Sequence, residues 1–306
     1  MRVAALDLGT NTFILLIADV ESGEVVRVLC DEVQVVRLGQ GVHHSQKFHS
    51  EALERAEACL AVFSGMIRRY GAERIRACAT SAARDVRNKH ELVSMGEKYG
   101  IPIEVISGEQ EAEYTYWGTV RPPLKSPVLI VDVGGGSTEF IYGTHDGIVA
   151  RQSVDLGSVR LTELFVSKHP VPTSELRLMT GHVKERITAL KSLLPSVTTE
   201  KITAVAGTPC TLAMLDQGLP AFSAEHIDGY ILKTERLQKW FELLVGLKTD
   251  QRQRLVGMQI GRADVIVAGV LILLAAAETF EAREFEVSTR GLRFGLARDL
   301  DSKWRR

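Results

Sequence analysis

Hydrophobic and polar positions change period several times along the chain. Val3–Leu6 is a short apolar run, and Phe13–Val20 is a second, closed by Ser22-Gly23. Glu24–Leu38 alternates, with many valines, which is the period of a half-buried strand. From Ser50 to Tyr70 the spacing changes to threes and fours, through Leu53, Ala56, Leu60, Phe63 and Ile67. That stripe predicts an amphipathic helix, with Ser50 as N-cap and Gly71 as stop. Ile75–Ala79 reads as a strand, Asn88–Tyr99 as a helix, Ile103–Ile106 as a strand and Glu109–Gly118 as a helix.

Three prolines then fall within Arg121–Pro127, and the pattern restarts after them. Val128–Val133, Thr138–Gly143 and Gly147–Leu156 read as strands, and Val159–Lys168 and Thr173–Leu194 as helices. Ile202–Ala206 is a strand with a helix after Pro209, and Thr234–Phe280 is helical with interruptions. Glu284–Ser288 is the last strand, and Gly291–Leu300 a closing helix. The proline cluster marks a domain boundary. The expected domains are 1–124 and 125–290, with a closing helix at about 291–306 packing back on the first.

The restart extends to the chemistry. Leu6-Asp7-Leu8-Gly9-Thr10-Asn11-Thr12 matches Val131-Asp132-Val133-Gly134-Gly135-Gly136-Ser137: an apolar strand ends in Asp, and Gly with small polar residues turns into the next strand. A spacing of one domain length between the copies points to two similar α/β domains. One such turn alone is an ordinary hairpin; two after equivalent strands suit an anion nest, in which successive amides face a phosphate. Asp132 and Glu139 flank the second turn and are placed to share a metal ion, as Asp7 is in the first.

Other strand ends carry candidates of their own. Glu109-Gln110-Glu111 opens a helix, where acids are expected from the helix dipole alone; the functional alternative is a carboxylate that takes a proton from water. Arg84, in Thr80-Ser81-Ala82-Ala83-Arg84-Asp85, is either a surface residue or a bidentate phosphate clamp. Ala206-Gly207-Thr208-Pro209 is a third strand–Gly–Thr turn whose free amides suit an anion. Arg262 and Asp264 read as a polar helix start. Arg121, Arg151, Arg160, Arg252, Arg254 and Arg290 form either a track for a polymer or solvated surface, and taken singly each reads as solvated surface.

Composition removes competing classes. Of 306 residues 45% are hydrophobic and 25% charged, which excludes general disorder. Lys and Arg number 37 against 38 Asp and Glu, a net charge of −1, so no global field marks a nucleic-acid or membrane-surface binder. Cys30, Cys59, Cys78 and Cys210 form no C-x-x-C pair. The longest apolar run, Val265–Ala277, is short of the ~20 residues of a membrane span and reads as a buried core helix. The eight histidines are scattered without zinc spacing and read as surface or loop residues. G-x-S-x-G and the Walker P-loop are absent. A cytoplasmic protein is the expectation.

In order and spacing, the motifs named so far resemble those of the Ppx/GppA phosphatases, the exopolyphosphatases and guanosine pentaphosphate phosphohydrolases. Arg37-Leu38-Gly39-Gln40-Gly41, Ile106-Ser107-Gly108-Glu109-Gln110-Glu111-Ala112, Asp155-Leu156-Gly157-Ser158-Val159-Arg160-Leu161-Thr162-Glu163 and Gly291-Leu292-Arg293 extend the resemblance over essentially the whole chain. It implies an α/β fold of two ribonuclease-H-like domains of the actin/Hsp70/sugar kinase superfamily, each on a five-stranded sheet, facing a central cleft. It implies Glu111 as general base and Arg84 as phosphate contact. Asp7, Asp132 and Glu139 become acids near Mg²⁺ or Mn²⁺. Gly9, Thr10, Asn11, Thr12, Gly134, Gly135, Gly136, Ser137, Thr138, Gly207 and Thr208 become the phosphate-binding set.

The implied substrate is polyphosphate or guanosine pentaphosphate, the implied assembly a homodimer, with no nucleic acid and no membrane as partner. A polyphosphate-dependent kinase and a non-catalytic polyphosphate or guanosine pentaphosphate sensor are the alternatives. Two departures stand out. Phe294 replaces the Glu that usually follows Gly-Leu-Arg, and the chain resembles the short form, without the helical extension of longer members.

Overall fold

The computed structural model describes residues 1–121, 126–144, 146–194 and 199–301. They form two compact units. One runs from Met1 to Val120 and is completed by the chain from Gly291 onward; the other runs from Arg121 to Arg290. The boundary expected at 124 lies outside the described residues.

The first unit begins with an antiparallel meander, β1 (Arg2–Leu8), β2 (Thr12–Glu21) and β3 (Glu24–Val35). The short helix α1 (Val42–Ser45), the long α2 (Ser50–Tyr70), β4 (Arg74–Ala79), the short α3 (Ser81–Arg84), α4 (Lys89–Lys98), β5 (Ile103–Val105) and α5 (Gly108–Thr119) follow. The sheet order is β3-β2-β1-β4-β5, with β4 parallel to β1 and β5 parallel to β4. Strand β1 is central and covered on both faces, which accounts for its nearly unbroken apolar run. One face, with Leu6, Leu8, Phe13 and Leu15, packs on the Leu53–Ile67 stripe of α2. Helix α2 matches its expected span, but its cap residue is His49 and Ser50 is already helical; Gly71 ends it at φ 68°.

In the second unit β6 (Val128–Val133), β7 (Thr138–Thr144) and β8 (Gly147–Val154) repeat the meander. Helices α6 (Ser158–Phe165) and α7 (Thr173–Thr188), strand β9 (Lys201–Val205), helices α8 (Gly207–Gln217) and α9 (Ala224–Ile227), and strand β10 (Ile231–Lys233) follow. Helices α10 (Thr234–Gly246), α11 (Thr249–Gln253) and α12 (Ile266–Phe280) then lead to β11 (Glu284–Val287). The sheet order is β10-β11-β9-β6-β7-β8. Apart from β10, it repeats the first sheet strand for strand, and the shared order and directions are ribonuclease-H-like. The sixth strand departs from the five implied by resemblance. It arises because Leu232 is buried while its neighbours are exposed, so Ile231–Lys233 pairs antiparallel with β11 at the edge.

Helix α12 is apolar and buried nearly all round, at the centre of the second core. Among the described residues no helix is long and apolar enough to cross a membrane. The helical region Thr234–Phe280 resolves into three separate helices, α10 to α12. Helix α13 (Leu292–Asp299) then returns to the first unit. There Leu292, Phe294, Leu296 and Ala297 bury against Val3, Ala5, Leu16 and Tyr114, on the sheet face opposite α2.

Candidate active site

The two glycine turns share one construction. The Gly9 amide donates to Thr12 O at 3.0 Å, and the Gly134 amide to Ser137 O at 3.0 Å. A Cβ on Gly9 would stand 3.1 Å from Thr12 O, and one on Gly134 only 2.9 Å from Ser137 O. In both, the turn carbonyls are taken by the segment that follows the third strand of the meander. Thr10 O accepts from the Gly39 amide (2.9 Å), and Asn11 O from those of Val36 (3.1 Å) and Arg37 (2.8 Å). This is why β3 stops at Val35, before the expected Leu38. In the second unit Gly134 O accepts from the Ser158 amide (3.0 Å), and Gly135 O from those of Val159 (2.9 Å) and Arg160 (3.1 Å). The amides of Thr10, Gly135 and Gly136 have no acceptor among the described residues. Oriented amides with no internal acceptor are what an anion nest requires.

The hydroxyls of the second turn are used internally. Ser137 Oγ donates to Glu139 Oε1 (2.9 Å) and Thr138 Oγ1 to Leu156 O (2.5 Å), both buried. The turn therefore offers backbone, not side chains, to a ligand.

Glu111 lies in the first turn of α5. Ser107 and Gln110 start that helix with reciprocal side-chain to backbone bonds, which fixes the position of its first turn. The Glu111 side chain is buried, and Arg84 Nη1 donates to its Oε2 at 2.7 Å and to Ile106 O at 3.1 Å. Burial raises the carboxyl above its ordinary range, and the Arg84 charge pulls it part of the way back. Arg84, at the end of α3, is thus first of all the partner of Glu111.

Asp7 is half-buried on β1, between Ile14 of β2 and Cys78 of β4. Asp132 is half-buried on β6, directly opposite Glu139 on β7. Glu139 is almost fully buried, and Oε1 accepts from the hydroxyls of both Ser137 and Ser153 (2.8 Å). Among the described residues no three His, Cys, Asp or Glu side chains cluster as a ready metal cage. An opposed pair of carboxylates does fit Mg²⁺, which usually takes one or two protein carboxylates and completes its shell with water and substrate phosphate.

Gly207 and Thr208 open α8 directly after Ala206, whose φ of 80° is rare for a residue with a side chain. Pro209 has no N–H, so Gly207 and Thr208 supply the free amides of this helix end. A Cβ on Gly207 would fall 1.8 Å from Arg262 Nη2. Arg262 is 7% exposed, and its guanidinium makes no hydrogen bond or ion pair with another described residue. Burial lowers its pKa, opposed by Cys210 and Asp264. A buried guanidinium over a helix N-terminus leaves positive charge in want of an anion. The sequence reading of Arg262 as a polar helix start is corrected; its signal was an Arg beside the most apolar helix of the chain.

Two of the arginines read as solvated surface are buried instead. Arg252 is fully enclosed, with Nε on Leu244 O (2.7 Å), Nη1 on Ala263 O (2.9 Å) and on His169 Nδ1 (3.1 Å). Arg160 is largely buried against the glycine turn, with Nε on Gly136 O at 2.7 Å.

A model of the "Ppx/GppA phosphatase family" matches residues 16–303. Exopolyphosphatase 2 of Mycobacterium tuberculosis is 36% identical, with 98% of each chain covered. The guanosine-5'-triphosphate,3'-diphosphate pyrophosphatase of Vibrio vulnificus is 29% identical over 99% of this chain and 60% of its own. The crystal structure of an exopolyphosphatase from Cytophaga hutchinsonii superimposes with a TM-score of 0.89 at 28% identity, covering 98% of this chain and 97% of that one. With both glycine turns, the buried Glu111 and the repeated sheet in place, the chain belongs to the Ppx/GppA phosphatase family.

Proposed function

We propose that this enzyme hydrolyses the terminal phosphoanhydride bond of a linear phosphate chain, inorganic polyphosphate or guanosine pentaphosphate, and releases orthophosphate. It is a phosphoric anhydride hydrolase of the exopolyphosphatase and pentaphosphate phosphohydrolase type. The observation that carries the mechanism is the buried Glu111 carboxylate bonded to Arg84. Binding a phosphate chain needs no base, whereas hydrolysis needs a group to orient water and accept its proton. A carboxyl raised by burial is better matched to that task near neutral pH than an ordinary one.

Phosphoryl transfer is mostly positioning and electrostatics, and the remaining residues supply both. The free amides of Thr10, Gly135, Gly136, Gly207 and Thr208 hold phosphate oxygens. Arg84 adds positive charge beside the base, and Arg262 adds it at the start of α8. Asp132 and Glu139 would hold Mg²⁺ or Mn²⁺, and Asp7 is the matching acid of the first turn. A bound divalent cation neutralises charge on the phosphate oxygens. We place the enzyme in the cytoplasm, a reading supported by four cysteines that are all free thiols. The family resemblance makes a homodimer the expected assembly, to be measured by light scattering.

The test is phosphate release with Mg²⁺ from long polyphosphate, guanosine pentaphosphate and ATP side by side, with Glu111→Gln as control. The variant should lose about 10²–10⁴-fold in kcat while keeping its fold. Undiminished release by Glu111→Gln would remove the base assignment. Tight binding without release by the wild type would make the protein a sensor, and ATP formed from ADP would make it a kinase.

A further inference from the structure

Between α11 and α12, residues 254–265 form neither helix nor strand, yet this stretch delivers Arg262 to the start of α8. Its contacts run along α8 in order, from the last turn to the first. Gly257 comes so near the last turn that a Cβ on it would stand 2.6 Å from Met214 C and 2.7 Å from Leu215 N. One turn earlier, Thr211 Oγ1 donates to Gln259 Oε1 at 2.8 Å. One turn earlier again, the Arg262 guanidinium fills the space where a Gly207 side chain would begin. Leu215, Thr211 and Gly207 are spaced by the helical repeat, so the segment lies antiparallel along one face of α8. Leu255 and Met258 pack against the second core, but between Met258 and Ala263 the one large apolar side chain, Ile260, is 88% exposed. Packing gives that stretch no apolar anchor, so its polar bonds set where Arg262 stands.

Arg252, in α11, holds both ends of the segment. Its carbonyl accepts from the Leu255 amide at 3.1 Å, and its Nη1 donates to Ala263 O at 2.9 Å. Nε donates to Leu244 O, near the carbonyl end of α10, at 2.7 Å. Nη1 also meets His169 Nδ1 at 3.1 Å; a guanidinium has no acceptor, so that ring nitrogen accepts. The side chain is fully enclosed, and Nη2 bonds to no described residue. Burial lowers its pKa to about 10, with the Asp264 charge opposing, so it is still a cation at neutral pH. A buried cation without a bonded carboxylate is costly, and packing alone does not call for one. We infer that Arg252 is a positioning residue for Arg262: it closes the segment laid along α8 and so sets where the Arg262 guanidinium stands over the start of that helix. The inference rests on the hydrolase reading above, which gives Arg262 a phosphate to meet. Arg252 itself need not touch substrate.

The experiment compares four full-length proteins: wild type, Arg252→Met, Arg262→Ala and the double variant. It measures the dissociation constant of inorganic pyrophosphate by calorimetry, and kcat and KM with long polyphosphate. Arg262→Ala should weaken pyrophosphate about tenfold to a hundredfold, the size of a lost charge-assisted contact. Arg252→Met, which fills most of the space but has no donor, should weaken it about threefold to tenfold. In the double variant the loss should equal that of Arg262→Ala alone, because nothing is left to position. KM should follow the dissociation constants. Arg252→Lys, which keeps one charged donor, should recover part of the loss. If no Arg252 variant folds, Thr211→Val carries the test: it removes the hydroxyl bonded to Gln259 at nearly constant size, and its loss should likewise vanish in the Arg262→Ala background.

Wild-type affinity in Arg252→Met, or in Thr211→Val where that variant carries the test, would overturn the inference. So would losses that add in the double variant, since they mark a general loosening of the unit. Wild-type affinity in Arg262→Ala would overturn it as well, by leaving Arg262 without an anion. A wild type that neither releases phosphate nor binds pyrophosphate would remove the hydrolase reading, and this inference with it. That outcome is distinguished by being visible before any variant is made.

Discussion

A buried carboxylate paired with a single arginine is governed by two opposed forces, and the Glu111–Arg84 pair makes them separable. Burial favours the neutral acid; the guanidinium at 2.7 Å favours the anion. Only the anion can take a proton from water. Activity should therefore fall as pH drops through the Glu111 pKa, and that fall should begin above the usual carboxylate range of about 4.3. Replacing Arg84 by Ala removes the opposing charge, so the pKa rises further. The acid limb of the kcat/KM profile should then move to higher pH, on top of any loss in maximal rate, and a pH–rate series of both proteins checks this. A limb that stays in place would mean that another group titrates.

At the scale of elements, α5 depends on α13. A Cβ on Gly118 of α5 would lie 1.9 Å from Gly291 O, and one on Gly295 of α13 would lie 2.0 Å from Tyr114 O. Both obstacles are backbone, so neither yields without moving a helix. Arg298 fastens the same contact by donating to Trp117 O (2.6 Å) and Val120 O (3.5 Å), the carbonyl end of α5, where a cation is favoured. Gly118→Ala should cost about 1–3 kcal/mol in chemical denaturation, typical of overpacking, and should lower kcat because α5 carries Glu111. Arg298→Ala should cost a similar amount by leaving those carbonyls unsatisfied, measured by the same denaturation.

Much of this architecture was legible in the sequence, for a physical reason. Strands and long helices announce themselves by period, as in the Leu53–Ile67 stripe and the apolar run of α12. Repetition of an Asp-and-Gly turn after equivalent strands announced the two matching turns and the repeated sheet. Contacts between distant segments leave no period. That Ser137 and Thr138 turn their hydroxyls inward, that Arg252 and Arg262 are buried, and that Arg160 reaches Gly136 all depend on chain brought together from afar. Arginine looks alike in any sequence, whether solvated or enclosed. The short strand β10 was missed because three residues carry too little alternation to register.

For the whole molecule, a net charge of −1 sets the terms on which a polyanion is bound. With no global attraction, affinity has to rest on local groups, and the proposed mechanism assigns that to the turn amides, Arg84, Arg262 and a cation between carboxylate and phosphate. Chelation with EDTA should therefore abolish phosphate release while leaving the fold intact by circular dichroism, and added Mg²⁺ or Mn²⁺ should restore it. A chelated enzyme that keeps its rate would remove Asp132 and Glu139 as cation ligands. Phe294, where the family usually has Glu, is buried beneath the Arg293 guanidinium, 5.0 Å from ring centroid to Cζ, while Arg293 Nε and Nη2 bind the Asp31 carboxylate at 2.7 and 2.8 Å. An acid at 294 would compete with Asp31 for that guanidinium.

The return of α13 also fixes an order of events during synthesis. A ribosome delivers all of Arg121–Arg290 before it delivers the helix that completes the first unit. Domains commonly fold as they emerge, the N-terminal one first. In this chain the second unit is the first to have every part it needs, while α5 waits with the apolar surface that Leu292, Phe294 and Leu296 will cover. The helix bearing Glu111 is thus among the last to be seated, and a nascent chain passes most of its length before its first unit is complete.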